Sequence, residues 1–247
     1  MNAPNITVEG WAGVDVSSAE AIIARAIDLY HPALTIASSF SHEDVLLIDM
    51  AVAHRADVRV FALDTGRLPE ETYACAEAVR ARYGLEIEWY APDRDDLEAL
   101  IRDQGLYSFK ESLDARHACC AVRKVGPLKR ALAGKKAWVT GQRRSQSVTR
   151  ATLSPVEASD SGPIKINPLA DWSLEQVQAE VKARGLPYNA LYDQGYRSIG
   201  CAPCTRAVLP GEDERAGRWW WEQAEHKECG LHGRPGFEHL SSDTSRG

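Results

Sequence analysis

Strand-length apolar runs alternate with helix-length amphipathic runs through the first two-thirds of the chain, and this alternation constrains the fold more than any other feature. Ser17-x-x-Glu20 has the form of a capping box and opens an amphipathic run to Tyr30. An apolar stretch at Ala33–Ala37 and a helical pattern over His42–His54 follow. Val58–Leu63 reads as a second buried strand, and Pro69–Tyr83 as a helix with proline in its first turn. Leu85–Tyr90 and Asp93–Gln104 repeat the pair; Arg116–Ala133 and Ala137–Thr140 repeat it as helix then strand. Ser173-x-x-Gln176 caps a further helix ending near Gly185. Successive βα units of this kind predict an α/β fold, a mostly parallel sheet with helices on both faces.

Ligands of open parallel sheets sit in the crevice beyond the carboxyl ends of the strands. Those ends carry Ser38-Ser39-Phe40-Ser41, Asp64-Thr65-Gly66-Arg67 and Gly141-Gln142-Arg143-Arg144-Ser145-Gln146. Each alone reads as well as a hydrophilic loop. Three in succession, the first running into a helix N-terminus, point to a nucleotide-like anion.

The 247 residues carry 29 Lys+Arg against 35 Asp+Glu, a net charge of −6, which argues against a general nucleic-acid or anionic-membrane surface. The longest apolar stretch, Val45–Ala53, is broken by Asp49 and is far shorter than the ~20 residues of a membrane span. Met1–Gly10 has neither a basic nor an apolar leader region, so a cytoplasmic location is expected. Six cysteines in a reducing compartment do not form a disulfide framework. Their grouping is the informative part: Cys119 and Cys120 are adjacent, Cys201 and Cys204 form a C-x-x-C, and Cys229 stands alone near the end.

Four grouped thiols read as a metal site. Adjacent cysteines break the C-x(2–4)-C spacing of structural zinc, because neighbouring helical side chains diverge by about 100°. They suit two irons of a 4Fe-4S cube better, and the cluster is favoured over zinc or two unrelated pairs of buried thiols. Cys229, in Glu228-Cys229-Gly230-Leu231-His232, becomes a nucleophile only if nearby cations such as Lys227 and His232 favour its thiolate; otherwise it is an idle exposed thiol. Lys124 follows the cysteine pair by a helical turn, and Arg215 and Arg218, three apart, read as one face of a helix after the C-x-x-C. With Arg143, Arg144 and Arg150 these cations either form a solvated surface or bind a multiply charged anion, and their clustering in an acidic chain favours the anion. Cys75 reads as core, and of Trp219-Trp220-Trp221 at least one packs inside.

The chain resembles the assimilatory sulfonucleotide reductases, specifically the iron–sulfur adenylylsulfate (APS) reductases, from about Ser38 to His232. The resemblance rests on Cys119-Cys120 with Arg123-Lys124, Gly200-Cys201-Ala202-Pro203-Cys204-Thr205-Arg206, Gly217-Arg218-Trp219-Trp220-Trp221, Glu228-Cys229-Gly230-Leu231-His232 and the loop Leu63-Asp64-Thr65-Gly66-Arg67. It implies an adenine-nucleotide α-hydrolase-like fold: a sulfonucleotide-binding domain over residues 1–221 with one 4Fe-4S cluster on Cys119, Cys120, Cys201 and Cys204, and a mobile segment over 222–247 carrying the nucleophile Cys229. It implies attack of that thiolate on adenylylsulfate, release of AMP, and discharge of the S-sulfocysteine as sulfite by reduced thioredoxin or a glutaredoxin. The expected substrate-binding residues are Ser39, Ser41, Thr65, Gly66, Arg67, Lys124, Gly141, Arg143, Arg144, Arg150, Arg215, Arg218 and His232. Family precedent allows homo-oligomers. Where the superfamily loop is S-G-G-x-D-S this chain has Ser39-Phe40-Ser41-His42-Glu43-Asp44, which supports a sulfonucleotide over ATP cleavage. Competing readings are reduction of the 3′-phosphorylated nucleotide (PAPS) or of both, a zinc-containing tRNA-modifying enzyme on the same fold, and a non-catalytic iron–sulfur sensor.

Overall fold

The computed structural model describes residues 8–147, 150–158, 162–223 and 227. Six strands form one sheet in the order β3-β2-β1-β4-β6-β5. They are β1 (Leu34–Ser38), β2 (Val60–Leu63), β3 (Ile87–Tyr90), β4 (Ala137–Val139), β5 (Val156–Glu157) and β6 (Ile164–Ile166). Every pairing is parallel except β5 with β6. The helices are α1 (Ala19–Tyr30), α2 (His42–His54), α3 (Glu70–Tyr83), α4 (Arg94–Gln104), α5 (Leu113–Cys120), α6 (Gly126–Leu132) and α7 (Leu174–Ala183).

The main core gathers β1, β2 and β4 side chains with α1, α2, α3 and α7, and includes Cys75 as expected. A second cluster, Phe61, Leu128, Ala131 and Trp138, packs α6 on the opposite face. The sheet is thus covered on both sides, which is why its central strands are apolar in nearly every position. Helix α2 is buried through most of its length and starts from a reciprocal capping box between Ser41 and Asp44. No described helix is long and apolar enough to cross a membrane.

Four local expectations are corrected. The α1 cap is Ser18, whose hydroxyl accepts from Ala21 N–H at 3.1 Å, because Ser17 folds back to donate to Asp15 at 2.6 Å. Pro69 is the N-cap of α3 and not a first-turn residue. The helix before β4 begins at Leu113, capped by Ser112, and widens into a π-turn over Ala121–Val125 before α6. Arg215 and Arg218 lie in a turn and a β-bridge, not on a helix. The bridge from Thr205 to Arg218, with Arg206 N–H on the Gly217 carbonyl at 3.0 Å and Trp219 N–H on that of Cys204 at 3.1 Å, holds this segment extended beside the C-x-x-C.

Candidate active site

Strand order reverses between β1 and β4, so a crevice opens where their carboxyl ends part. A cavity occupies this point, with Ser38–Ser41 after β1, Thr65 after β2, and Gly141 and Gln142 after β4 in its wall. Phe40, Phe61, Trp89, Leu128 and Trp138 supply an apolar lining, and Lys124, Arg150, Arg197, Arg215 and Arg218 line it with positive charge. The combination suits a ligand with a flat apolar ring and an anionic group.

The loop after β1 is held from within. The Asp44 carboxylate accepts from Ser39 N–H at 2.6 Å, the Ser39 hydroxyl at 2.8 Å and Ser41 N–H at 3.4 Å. Phe40 between them is in the left-handed region, φ 57°, a conformation that glycine takes without strain. Gly141 lets β4 approach: a Cβ there would come within 2.6 Å of Asp44 Oδ1 and 2.7 Å of Glu43 Cβ. Burial pushes the Asp44 carboxyl up from 3.8 to about 6 against the pull of the Ser39 bonds. Between those two values the native state binds the proton that the unfolded chain has released, so Asp44's contribution to stability is fully present below pH 3.8 and lost as pH rises through about 6. Asp44→Asn should flatten this slope in urea titrations across that window; an unchanged slope would assign it to other groups.

Beside this cavity is a second, lined by Cys119, Cys120, Cys201 and Cys204 with Arg67, Phe109, Arg116, Arg123, Lys124 and Trp219. The two share a wall: Lys124, Cys201 and Trp219 line both. The four thiols are buried and free of disulfides. Among the described residues no three His, Cys, Asp or Glu side chains converge on the position of a single metal ion. The donor set nonetheless fits a 4Fe-4S cluster. Four thiols, two from the end of α5 and two from Cys201 and the Ala202–Cys204 turn that it caps, surround one cavity, and the buried Arg123 Nε and Trp219 Nε1 of its lining have no hydrogen-bond partner. Sulfide and thiolate sulfur are acceptors for such donors. Burial raises the Cys119 thiol and lifts Cys204 to about 11. Burial would also raise Cys201, but Lys124, the Thr65 hydroxyl at 3.2 Å, Arg218 and Arg123 bring it below the ordinary thiol value. Gly200 leaves room for the Arg218 guanidinium, which a Cβ there would have to displace.

Of the residues expected to bind substrate, Ser39, Ser41, Thr65, Lys124, Gly141, Arg150, Arg215 and Arg218 meet at the first cavity. Gly66 does not line it, and Arg67 joins the cysteine cavity, its guanidinium 4.8 Å from the centre of the Phe109 ring. Arg143 and Arg144 stand elsewhere. Arg143 is fully buried, 2.8 Å from Glu43 and 2.7 Å from Glu214. Arg144 pairs with Asp171 and donates to the Leu153 carbonyl at 2.7 Å. Both guanidiniums are committed to protein partners, and neither residue lines the cavity. Cys229 and His232 lie outside the described residues. Sequence reasoning missed Arg197, although it stands four residues before Cys201, and Tyr192, whose ring stacks on His42 at 3.7 Å. Glu43 and Glu214 were missed because nothing in a sequence marks acids in the wall of an anion site.

Residues 33–207 match the model of the phosphoadenosine phosphosulfate reductase domain. An adenosine 5′-phosphosulfate reductase of Allochromatium vinosum is 54% identical over 213 residues, covering 86% of this chain and 82% of that one. One from Burkholderia cepacia is 49% identical over 218 residues, covering 88% and 87%. Among solved structures, a phosphoadenylyl-sulfate (PAPS) reductase from Candida auris in a phosphate complex superposes with a TM-score of 0.65 at 29% identity, over 77% of this chain and 90% of that one. An FMN adenylyltransferase of Candida glabrata, at TM-score 0.55 and 16% identity over 86% and 75% of the two chains, shares the fold alone.

Proposed function

The chain belongs to the phosphoadenosine phosphosulfate reductase family, and from that footing we propose that it reduces adenylylsulfate to sulfite and AMP in assimilatory sulfate reduction. The observation that supports this reading is the shared wall, in which Lys124 and Cys201 line both the cation-lined crevice and the cavity of four grouped thiols. The apolar lining accepts the adenine, and Lys124, Arg150, Arg215 and Arg218 receive the phosphosulfate.

The Cys229 thiolate attacks the sulfur of adenylylsulfate. An S–S bond forms, the sulfur–oxygen bond to the phosphate breaks, and AMP leaves with its electron pair. A dithiol, reduced thioredoxin, attacks the resulting S-sulfocysteine. Sulfite departs, Cys229 regains its thiol, and both electrons come from the dithiol, which ends as a disulfide. Bringing an anionic thiolate to an anionic sulfonate is chiefly an electrostatic problem, and fixed cations lower that barrier. One 4Fe-4S cluster on Cys119, Cys120, Cys201 and Cys204 would supply a fixed charge distribution tuning the adjoining cations, without changing its own oxidation state. A chain whose working thiol must be regenerated suits the reducing cytoplasm.

The 3′-phosphorylated nucleotide is the second reading, because Arg197 adds a fifth cation to the lining. The test is sulfite release by anaerobically purified protein with reduced thioredoxin or glutaredoxin, given either nucleotide, with Cys229→Ser as the inactive control. Sulfite from adenylylsulfate, absent in the control, is the expected result. Sulfite from the 3′-phosphorylated nucleotide alone would replace the first reading with the second. No sulfite from either, with the iron content intact, would overturn the reductase assignment.

A further inference from the structure

Glu43 and Glu214 put carboxylates into the wall of the anion cavity, and the buried Arg143 holds both, at 2.8 and 2.7 Å. Gln146, another residue of the lining, joins this cluster to the cation Arg150. Its Nε2 donates to Glu43 Oε1 at 3.1 Å, while its Oε1 accepts from the Arg143 backbone N–H at 3.1 Å and from Arg150 Nη1. The amide has one orientation only. A carboxylate bound to a guanidinium accepts and a backbone N–H donates, so the NH2 end must face Glu43 and the oxygen must face the Arg143 N–H. A guanidinium carries donors alone, and the oxygen is therefore the end that Arg150 can bond. Donor and acceptor alternate without a break from Arg143 through Glu43 and Gln146 to Arg150.

The Arg150 backbone is fixed as well: its N–H donates to the Ser147 carbonyl and its carbonyl accepts from Leu153 N–H, both at 2.9 Å. Ordering a long guanidinium side chain costs entropy, and that cost falls on the ligand unless the protein has already met it. Resting on the function proposed above, we infer that Gln146 is a positioning residue, which holds Arg150 at the anion cavity ahead of the nucleotide and is itself anchored to the buried Arg143–Glu43 pair. It acts through Arg150. An amide suits this place better than a carboxylate, because it accepts from Arg150 without adding negative charge to the wall of an anion site.

A double-mutant cycle in the full-length, anaerobically purified protein tests this, with Cys229→Ser in every arm so that adenylylsulfate binds without reacting. Calorimetry gives Kd for adenylylsulfate and for adenosine, which lacks the anion. Arg150→Met should weaken adenylylsulfate about 10–100-fold and Gln146→Met about 3–10-fold, with adenosine unchanged to within about twofold in both. The pair together should fall within about twofold of Arg150→Met alone, because Gln146 then has nothing left to position. Losses that multiply would mean that Gln146 meets the nucleotide itself, and would overturn the positioning role. So would an unchanged affinity in either single variant, or an equal loss for adenosine, the mark of a structural prop. Gln146→Asn, which keeps an amide but draws it back by one methylene, replaces Gln146→Met should that variant fail to fold, with the same coupling expected. Adenylylsulfate bound no better than adenosine by the Cys229→Ser parent would instead overturn the functional reading on which the inference rests.

Discussion

Replacing Arg143 with methionine should cost about 3–5 kcal/mol of folding stability, which in a chain of this size is a fall of roughly 6–20 °C in Tm. The Arg143 side chain is 0% exposed, and its two partners, Glu43 and Glu214, are 5% and 15% exposed. Its Nε donates to Glu43 and its Nη2 to both Glu214 oxygens, while Gln146 takes up a further bond to Glu43 at 3.1 Å. Without the guanidinium two buried carboxylates face one another uncompensated. Burial already pushes the Glu214 carboxyl above its ordinary value with the arginine in place. In the variant the Glu214 carboxyl would titrate higher still, so its stability should be greatest at acidic pH and decline as pH rises through that raised value. Arg143→Met with Glu43→Gln and Glu214→Gln should recover most of the loss, because it removes the stranded charges as well as the cation. Urea denaturation of the single and triple variants decides the matter: a loss below about 1 kcal/mol in the single variant would sink the account. The same pairing keeps Arg143 out of the cavity lining. It ties α2 to the turn that carries Arg215 and Arg218, and so acts on the anion site from behind.

That distinction marks what a sequence can and cannot disclose. The alternation of apolar and amphipathic runs predicts five of the helices and the four strands β1–β4 within a few residues, because burial on both faces imposes long apolar runs. Strands β5 and β6 span only Val156–Glu157 and Ile164–Ile166, too short for a period to register. The π-turn over Ala121–Val125 has a sequence that reads as ordinary helix, and only packing against the cysteine cavity distinguishes it. At the site, the cysteines and the loops after β1, β2 and β4 are legible because each is a local pattern. The commitment of each arginine is not. Arg143 and Arg215 look equivalent in sequence, yet one is locked to Glu43, 100 residues away, and the other reaches the cavity. Assigning such cations requires knowing which acids the fold brings beside them.

The second large effect belongs to Lys124. Lys124→Ala should lower kcat for sulfite release by about 10²–10³-fold, the scale seen when one preorganised donor is removed from a charge-stabilising site, while iron per chain stays constant. Two features set this expectation. Lys124 is 9% exposed and sits in the wall common to both cavities, so on the proposed function its charge would act on the phosphosulfate in a poorly solvated place. It also stands in the π-turn, where Gly126 N–H reaches back to the Ala121 carbonyl, so it does not follow the regular helical register of Cys119 and Cys120. The substitution removes no thiol, so on the proposed function metal content and kinetics should separate, the first depending on the cysteines and the second on Lys124. KM should change less than kcat, because charge builds on the departing AMP oxygen and the attacked sulfonate mainly in the transition state. Parallel iron analysis and steady-state kinetics of Lys124→Ala test this directly. Full turnover would remove Lys124 from the electrostatic account, and iron lost in proportion to activity would make it a structural prop of the cysteine site instead. A rate lost with the iron retained would place the ammonium at the reacting anion, as the proposed function requires of a residue lining both cavities.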